Sequence, residues 1–132
     1  MNNDYKEKLA AVKECLSDYS EPIFVSGIDF DMTAKALTII DATMPIEELL
    51  IIGNKYPNWI KNIKTRFDKA NVLLIKNFDK ISLDKQKLFA DIICNNSICS
   101  EKLPDNLRII INSIGKCNLI PEIKEVVQYF EI

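Results

Sequence analysis

Asp29 and Asp31 stand two apart, directly behind the apolar run Ile23-Phe24-Val25-Ser26-Gly27-Ile28 and just ahead of Thr33. Carboxylates at that spacing could share a phosphoryl transfer, the first attacking phosphorus and the second moving the proton. The same pair can also do no more than cap a following helix, because aspartate oxygens accept from nearby backbone N–H groups. The chain has no histidine, which removes Ser–His, Cys–His and histidine-ligated metal mechanisms together. Carboxylate, lysine, thiol and hydroxyl groups are what remain. Of the four cysteines, Cys15, Cys94, Cys99 and Cys117, only Cys94 and Cys99 lie near each other. No second pair completes a zinc site, so free thiols and no metal are expected.

The elements that must position such groups alternate between strand and helix. Tyr5, Leu9, Val12 and Leu16 fall at helical spacing, so an amphipathic helix is expected over 4–18 and is broken at Glu21-Pro22. Strands are expected over 23–28, 49–53, 71–76, 107–112 and 126–130. Helices are expected over 32–40, over 57–69 behind Pro57, and from the Ser82 cap to about Asn95. Residues 102–106 read as a turn. The strands are continuous apolar runs rather than alternating ones, which is the pattern of strands covered on both faces. The reading is a three-layer, doubly wound α/β domain with a mostly parallel five-stranded sheet. It spans 1–132 as one domain, with the N-terminal helix at 4–18 and the core at 22–132.

The 132 residues are 48% apolar and 27% charged, with a net charge of −2. Such a chain is globular rather than disordered and has no overall attraction to nucleic acid or anionic lipid. No apolar run is long enough to span a membrane. The start of the chain is polar, so no secretory signal is expected and a cytoplasmic location follows by default. Charge is uneven locally: Lys55, Lys61, Lys64, Arg66 and Lys69 face a single Asp68, with Tyr56, Trp59 and Phe67 among them. That stretch could bind nucleic acid through phosphate contacts and stacking. Trp59, Ile60, Ile63 and Phe67 share one helical face, however, which favours packing with the lysines in solvent.

Two segments carry a family resemblance. Val72-Leu73-Leu74-Ile75-Lys76-Asn77 and, beyond the Ser82 helix, Lys102-Leu103-Pro104-Asp105-Asn106-Leu107-Arg108-Ile109-Ile110 are similar to the metal-binding strand and sensor strand of an AAA+ ATPase core. The resemblance runs from Ile23 to Ile132 and implies a P-loop NTPase-like fold. It also implies a phosphate loop after the first strand, with two glycines, a lysine and a hydroxyl. Here Gly27 keeps the first glycine, while Met32, Thr33 and Ala34 stand where the second glycine, the lysine and the hydroxyl would be. Lys35 is offset, and Asp29 and Asp31 bring negative charge to where a triphosphate would sit. A like-charge pair at about 4 Å costs on the order of 4 kcal/mol at intermediate dielectric.

The metal aspartate and catalytic glutamate of that family fall on Lys76 and Asn77, and Asp79 comes too late to replace the first. Ile114 lies nearest the polar sensor position, with Asn112 read as a strand-end residue satisfying local backbone. The segment Pro121-Glu122-Ile123-Lys124-Glu125 offers no arginine finger, and no lid is expected. These departures point to a catalytically inactive AAA+-like domain with no cofactor, acting as a protein-interaction or assembly module. The implied partner is an active AAA+ ATPase or a second copy, with Tyr56, Lys61 and Lys64 as the candidate interaction surface.

Two alternatives come from other classes. Asp29-Phe30-Asp31-Met32-Thr33 resembles the nucleophile motif of haloacid-dehalogenase-type phosphatases, with Ser113 and Lys116 as phosphate-binding partners. That implies a small magnesium-dependent phosphatase-like enzyme using Asp29 and Asp31, although only Glu122, Glu125 and Glu131 remain to form its late acidic cluster. The other is a nucleic-acid-binding module working through the basic helix 57–69.

Overall fold

The computed structural model describes residues 6–7, 10–12, 14, 21–30, 36–65 and 71–131. Its centre is a five-stranded sheet of β1 (Ile23–Ser26), β2 (Ala36–Asp41), β3 (Asn71–Lys76), β6 (Leu107–Ser113) and β7 (Gln128–Glu131). Their order is β2-β3-β6-β1-β7 and every pairing is parallel. A separate two-stranded hairpin pairs β4 (Ser97–Ile98) with β5 (Glu101–Lys102). The helices are α1 (Ile46–Leu49), α2 (Asn58–Lys64), α3 (Leu83–Asn95) and α4 (Pro121–Lys124). Residues 6–7, 10–12 and 14 are helical, and Val12 is fully buried. Tyr5, Leu9 and Leu16, expected on the same helix, lie outside the described residues. No helix among the described residues is long and apolar enough to cross a membrane.

Strand order decides which face each connection covers. From β2 to β3 to β6 to β7 the chain advances in one direction across the sheet, so right-handed crossovers put the intervening helices on one face. Trp59, Ile60, Ile63, Phe89, Ile92 and Ile123 from those helices pack there against Phe24, Leu73, Ile75, Ile109 and Ile111. The step from β1 to β2 runs the opposite way and belongs on the other face. Phe30, just after β1, packs there with Val12, Ile23, Val25, Val72, Leu74 and Ile110. Adjacent strand residues thus feed opposite cores, as the two-residue period of a strand requires.

Polar side chains fasten the connections. Ser82 Oγ accepts from Lys85 N at 3.1 Å and starts α3. Asn71 Nδ2 donates to Ile63 O at 2.6 Å, tying the end of α2 to the start of β3. Gln86 is buried, donating to Asn118 O at 2.8 Å and accepting from Ile120 N at 2.9 Å. It thereby holds the segment that leads into α4.

Several boundaries differ from the expectation. Residues 36–41 form β2, where a helix over 32–40 was expected; Leu37-Thr38-Ile39-Ile40 is rich in β-branched residues and has β3 beside it to pair with. Residues 49–53 are not a strand. Pro45 caps the single turn α1, Leu49 is buried, and Ile52 bridges Lys55 around Gly53, whose φ is +59°. Pro57 is the cap of α2 rather than its first residue, and α2 ends at Lys64; residues 66–70 lie outside the described residues. The C-terminal strand begins at Gln128 rather than Val126 and is a partly exposed edge, not a core strand. The β4–β5 hairpin occupies part of what was read as a plain turn.

Candidate functional site

In open parallel sheets ligands bind beyond the carboxyl ends of the strands, where two neighbouring strands send their connections in opposite directions. That crevice lies here between β1 and β6, since β1 leads back toward β2 and β6 leads over to β7. Gly27-Ile28-Asp29-Phe30 leaves β1 at this point, and Gly27 has a φ of +96°, which suits only glycine without strain.

Asn112, near the end of β6, spends its whole amide on β1 and that loop. Its Oδ1 accepts from Phe30 N at 2.9 Å, and its Nδ2 donates to Val25 O at 3.0 Å and Ile28 O at 2.9 Å. Gly27 N donates to Ser113 O at 3.0 Å. A phosphate-cradling loop works by turning its N–H groups outward to the anion. Here the N–H groups of Gly27 and Phe30 are bonded inward to β6, and the Phe30 ring is fully buried.

The end of β3 contributes Lys76 and Asn77. Lys76 Nζ reaches across to Asp29 Oδ1 at 2.5 Å. Asn77 takes a left-handed conformation, φ 61° and ψ 33°, and donates its amide to Asp41 Oδ2 at 2.8 Å. Asp41 also accepts from Thr43 N at 2.9 Å and Thr43 Oγ1 at 2.6 Å. Burial pushes the Asp41 carboxyl up, but the hydrogen bonds from Thr43 and Asn77 and the charge of Lys80 outweigh it and leave it below the usual value.

Farther along, Asp79 Oδ2 accepts from Gly115 N at 3.1 Å, while its Oδ1 is buried and has no hydrogen-bond partner. Ser113 donates its hydroxyl to Gly115 O. Cys117 is half-buried beside this pair, and burial, followed by the Asp79 charge, pushes its thiol up to about 11. Asp31, Met32, Thr33, Ala34 and Lys35 lie outside the described residues. Asp29 therefore stands with Lys76 rather than with a second described aspartate, and Lys116 is exposed. Among the described residues no cluster of three acidic or thiol groups could hold a metal.

The second concave region runs beside β2. A groove of about 930 Å³ is lined by Leu37, Thr38, Ile39 and Ile40 on one side and by residues between Met44 and Asn62 on the other. Trp59 is nearly buried in its wall, its indole N–H donating to Leu49 O at 3.2 Å. Tyr56 and Lys61 line this groove. Lys64 does not: it pairs with Glu101 and lies over the Tyr56 ring, 5.0 Å from its centroid. Hydrogen bonding to Glu101, then burial, raises the Tyr56 hydroxyl above its usual value; the bond from Lys64 leads in lowering Glu101.

Sequence reasoning placed Lys76 and Asn77 at the centre of the strand ends without finding their partners, Asp29 and Asp41. The open edge of β2 was hidden by reading 32–40 as a helix; the β-branched run at 38–40 was the signal available. No protein-family model matches this chain, and no curated protein matches it.

Proposed function

We propose that this chain is a catalytically inactive AAA+-like domain that serves as a protein-interaction or assembly module. The observation that carries the reading is the use made of Lys76 and Asn77. In an ATP-hydrolysing core those strand-end positions would hold a magnesium aspartate and a catalytic glutamate. Here a cation and an amide occupy them, and both are spent on fastening Asp29 and Asp41.

The topology supports the same reading. The strand likened to the sensor strand, β6, lies between β1 and β3, the place that the resemblance implies for it. There Asn112 bonds Ile28 O and Phe30 N, at the described start of the loop after β1. The order β2-β3-β6-β1-β7 also differs from the 3-2-1-4-5 run of dinucleotide-binding folds and the 2-1-3-4-5 run of flavodoxin-like folds. A scaffold kept without a nucleotide site has surfaces left to offer, and the groove beside β2 is the largest of those described.

Isothermal titration of the purified chain with ATP and with ADP, each with and without magnesium, tests the reading. The expected result is no binding heat at millimolar nucleotide. Magnesium-dependent binding would overturn it.

A further inference from the structure

We propose that the open edge of β2 is a self-association surface, on which a second copy of this chain pairs its own β2 antiparallel about a two-fold axis at Thr38. The proposal deepens the reading of the chain as an assembly module and rests on it.

The first observation is an edge that no strand among the described residues takes. β2 pairs with β3 on one side, and no described strand pairs with the other. Edge strands of monomers are ordinarily blunted by charge, proline, a bulge or a cover. Leu37-Thr38-Ile39-Ile40 carries no charge and no proline, and Ile39 is 51% exposed.

Backbone direction locates the free groups. Ala42 N donates toward β3, to Lys76 O at 2.8 Å. Amide direction alternates along a strand, so Thr38 and Ile40 also face β3 while Leu37, Ile39 and Asp41 face outward. The outward Asp41 N–H is taken by Met44 Sδ at 3.4 Å, which closes that end. Among the described residues none bonds the outward N–H and C=O groups of Leu37 and Ile39, which leaves them to a partner.

The second observation is independent of the first. Thr38 lines the groove and is only 5% exposed, yet its Oγ1 has no hydrogen-bond partner. An unpaired buried hydroxyl is costly, so a native structure has reason to satisfy it.

One register answers both observations. With Thr38 opposite Thr38 of the second copy, Leu37 faces its Ile39 and Ile39 its Leu37. These become the two hydrogen-bonded pairs, each exchanging two N–H···O bonds. Thr38–Thr38 becomes the non-hydrogen-bonded pair, with Cα atoms about 4.5 Å apart and side chains closest, where a turn of each Thr38 about χ1 brings the two enclosed hydroxyls into bonding reach. The exposed Ile39 side chain is covered by a leucine. Centring on Ile39 instead would set Leu37 against the Asp41 carboxylate and use an N–H already taken. Charge agrees with a self-pairing: the groove carries Glu47 and Glu48 together with Lys55 and Lys61, a set that a two-fold can match to itself.

The test is sedimentation of the full chain from micromolar to several hundred micromolar, with two variants. Wild type is expected to pass from monomer to dimer. Ile39→Pro removes an N–H that faces away from β3, a place where an edge strand tolerates proline; Ile39→Lys changes only an exposed side chain. Each is expected to weaken dimerisation at least tenfold, with circular dichroism confirming that the fold persists. Thr38→Cys is expected to give a 38–38 disulfide under mild oxidation, mapped by mass spectrometry. A wild-type chain that stays monomeric throughout overturns the proposal. So does a dimer that both Ile39 variants leave intact, or one in which Thr38→Cys never links. The nucleotide titration is separate: a monomer that binds no ATP sinks this pairing and leaves the pseudo-ATPase reading standing.

Discussion

Lys76 and Asp29 meet at 2.5 Å, a lysine at the end of β3 reaching past β6 to a carboxylate in the loop after β1. Lys76 is largely covered while Asp29 is mostly exposed. An exposed partner keeps the pair in high dielectric, so it stabilises the fold only slightly. We expect Lys76→Met to cost under about 1 kcal/mol. The cost should vanish near 1 M salt, where the screening length is about 3 Å. Urea unfolding at low and high salt measures both. The variant should gain no affinity for ATP, because the Gly27 and Phe30 N–H groups stay bonded to β6.

Asn112 is the stronger fastening. Its amide is buried and satisfies three backbone groups separated from it by more than 80 residues of chain. Asn112→Ala takes the partner from Phe30 N and Ile28 O, while Val25 O keeps its place in the β1–β6 ladder, and each buried orphan costs about 1–3 kcal/mol, reduced where water enters. A loss of about 3 kcal/mol or more is expected in chemical denaturation. Asn112→Asp restores one acceptor but aims a carboxylate at two carbonyl oxygens. Its deficit should therefore shrink as pH falls and the carboxyl protonates.

How far such contacts could be foreseen depended on the element. Ile23-Phe24-Val25, Val72-Leu73-Leu74-Ile75 and Leu107-Arg108-Ile109-Ile110-Ile111 were legible as strands because few other arrangements bury a short run on both sides. Ser82 announced α3 through its cap. Leu37-Thr38-Ile39-Ile40 and Leu49-Leu50-Ile51-Ile52 were not distinguishable, since short apolar runs of four serve either period. What separated them was tertiary: β3 offers one open side, and only one of the two runs can take it. The site divided in the same way. That Lys76 and Asn77 stand at strand ends follows from the local run, whereas their pairing with Asp29 and Asp41 is set by strand order, which no local pattern encodes.

Asp41 gives the strand ends a pH signature. Its native carboxyl lies below the ordinary value of 3.8, as the hydrogen bonds from Thr43 and Asn77 outweigh burial. The unfolded chain therefore binds its proton at a higher pH than the native one, so the contribution is present above about pH 4. It is lost as pH falls through the native value. Asp41→Asn should lower stability at pH 7 and flatten the fall below pH 4, read from melting temperatures across pH 2–7. An unchanged acid limb would remove Asp41 from the account.

The thiols should separate by reactivity. Cys99 is exposed on the β4–β5 turn, and Cys94 and Cys117 are partly covered. Burial raises the Cys94 thiol, with Glu122 and Asp91 adding to it; burial and then Asp79 push Cys117 up to about 11. Only the thiolate attacks an alkylating reagent, so at pH 8 iodoacetamide should label Cys99 first and Cys117 last of these three, as peptide mass spectrometry would show. Because the unfolded Cys117 thiol ionises near 9 and the native one near 11, the native state binds the extra proton between those values. Stability should accordingly fall as pH rises from 9 to 11. Asp79→Asn removes the neighbouring negative charge, which lowers the Cys117 value and should speed its labelling while Cys99 stays unchanged. Equal labelling of Cys117 in both proteins would show that the Asp79 charge does not reach the sulfur.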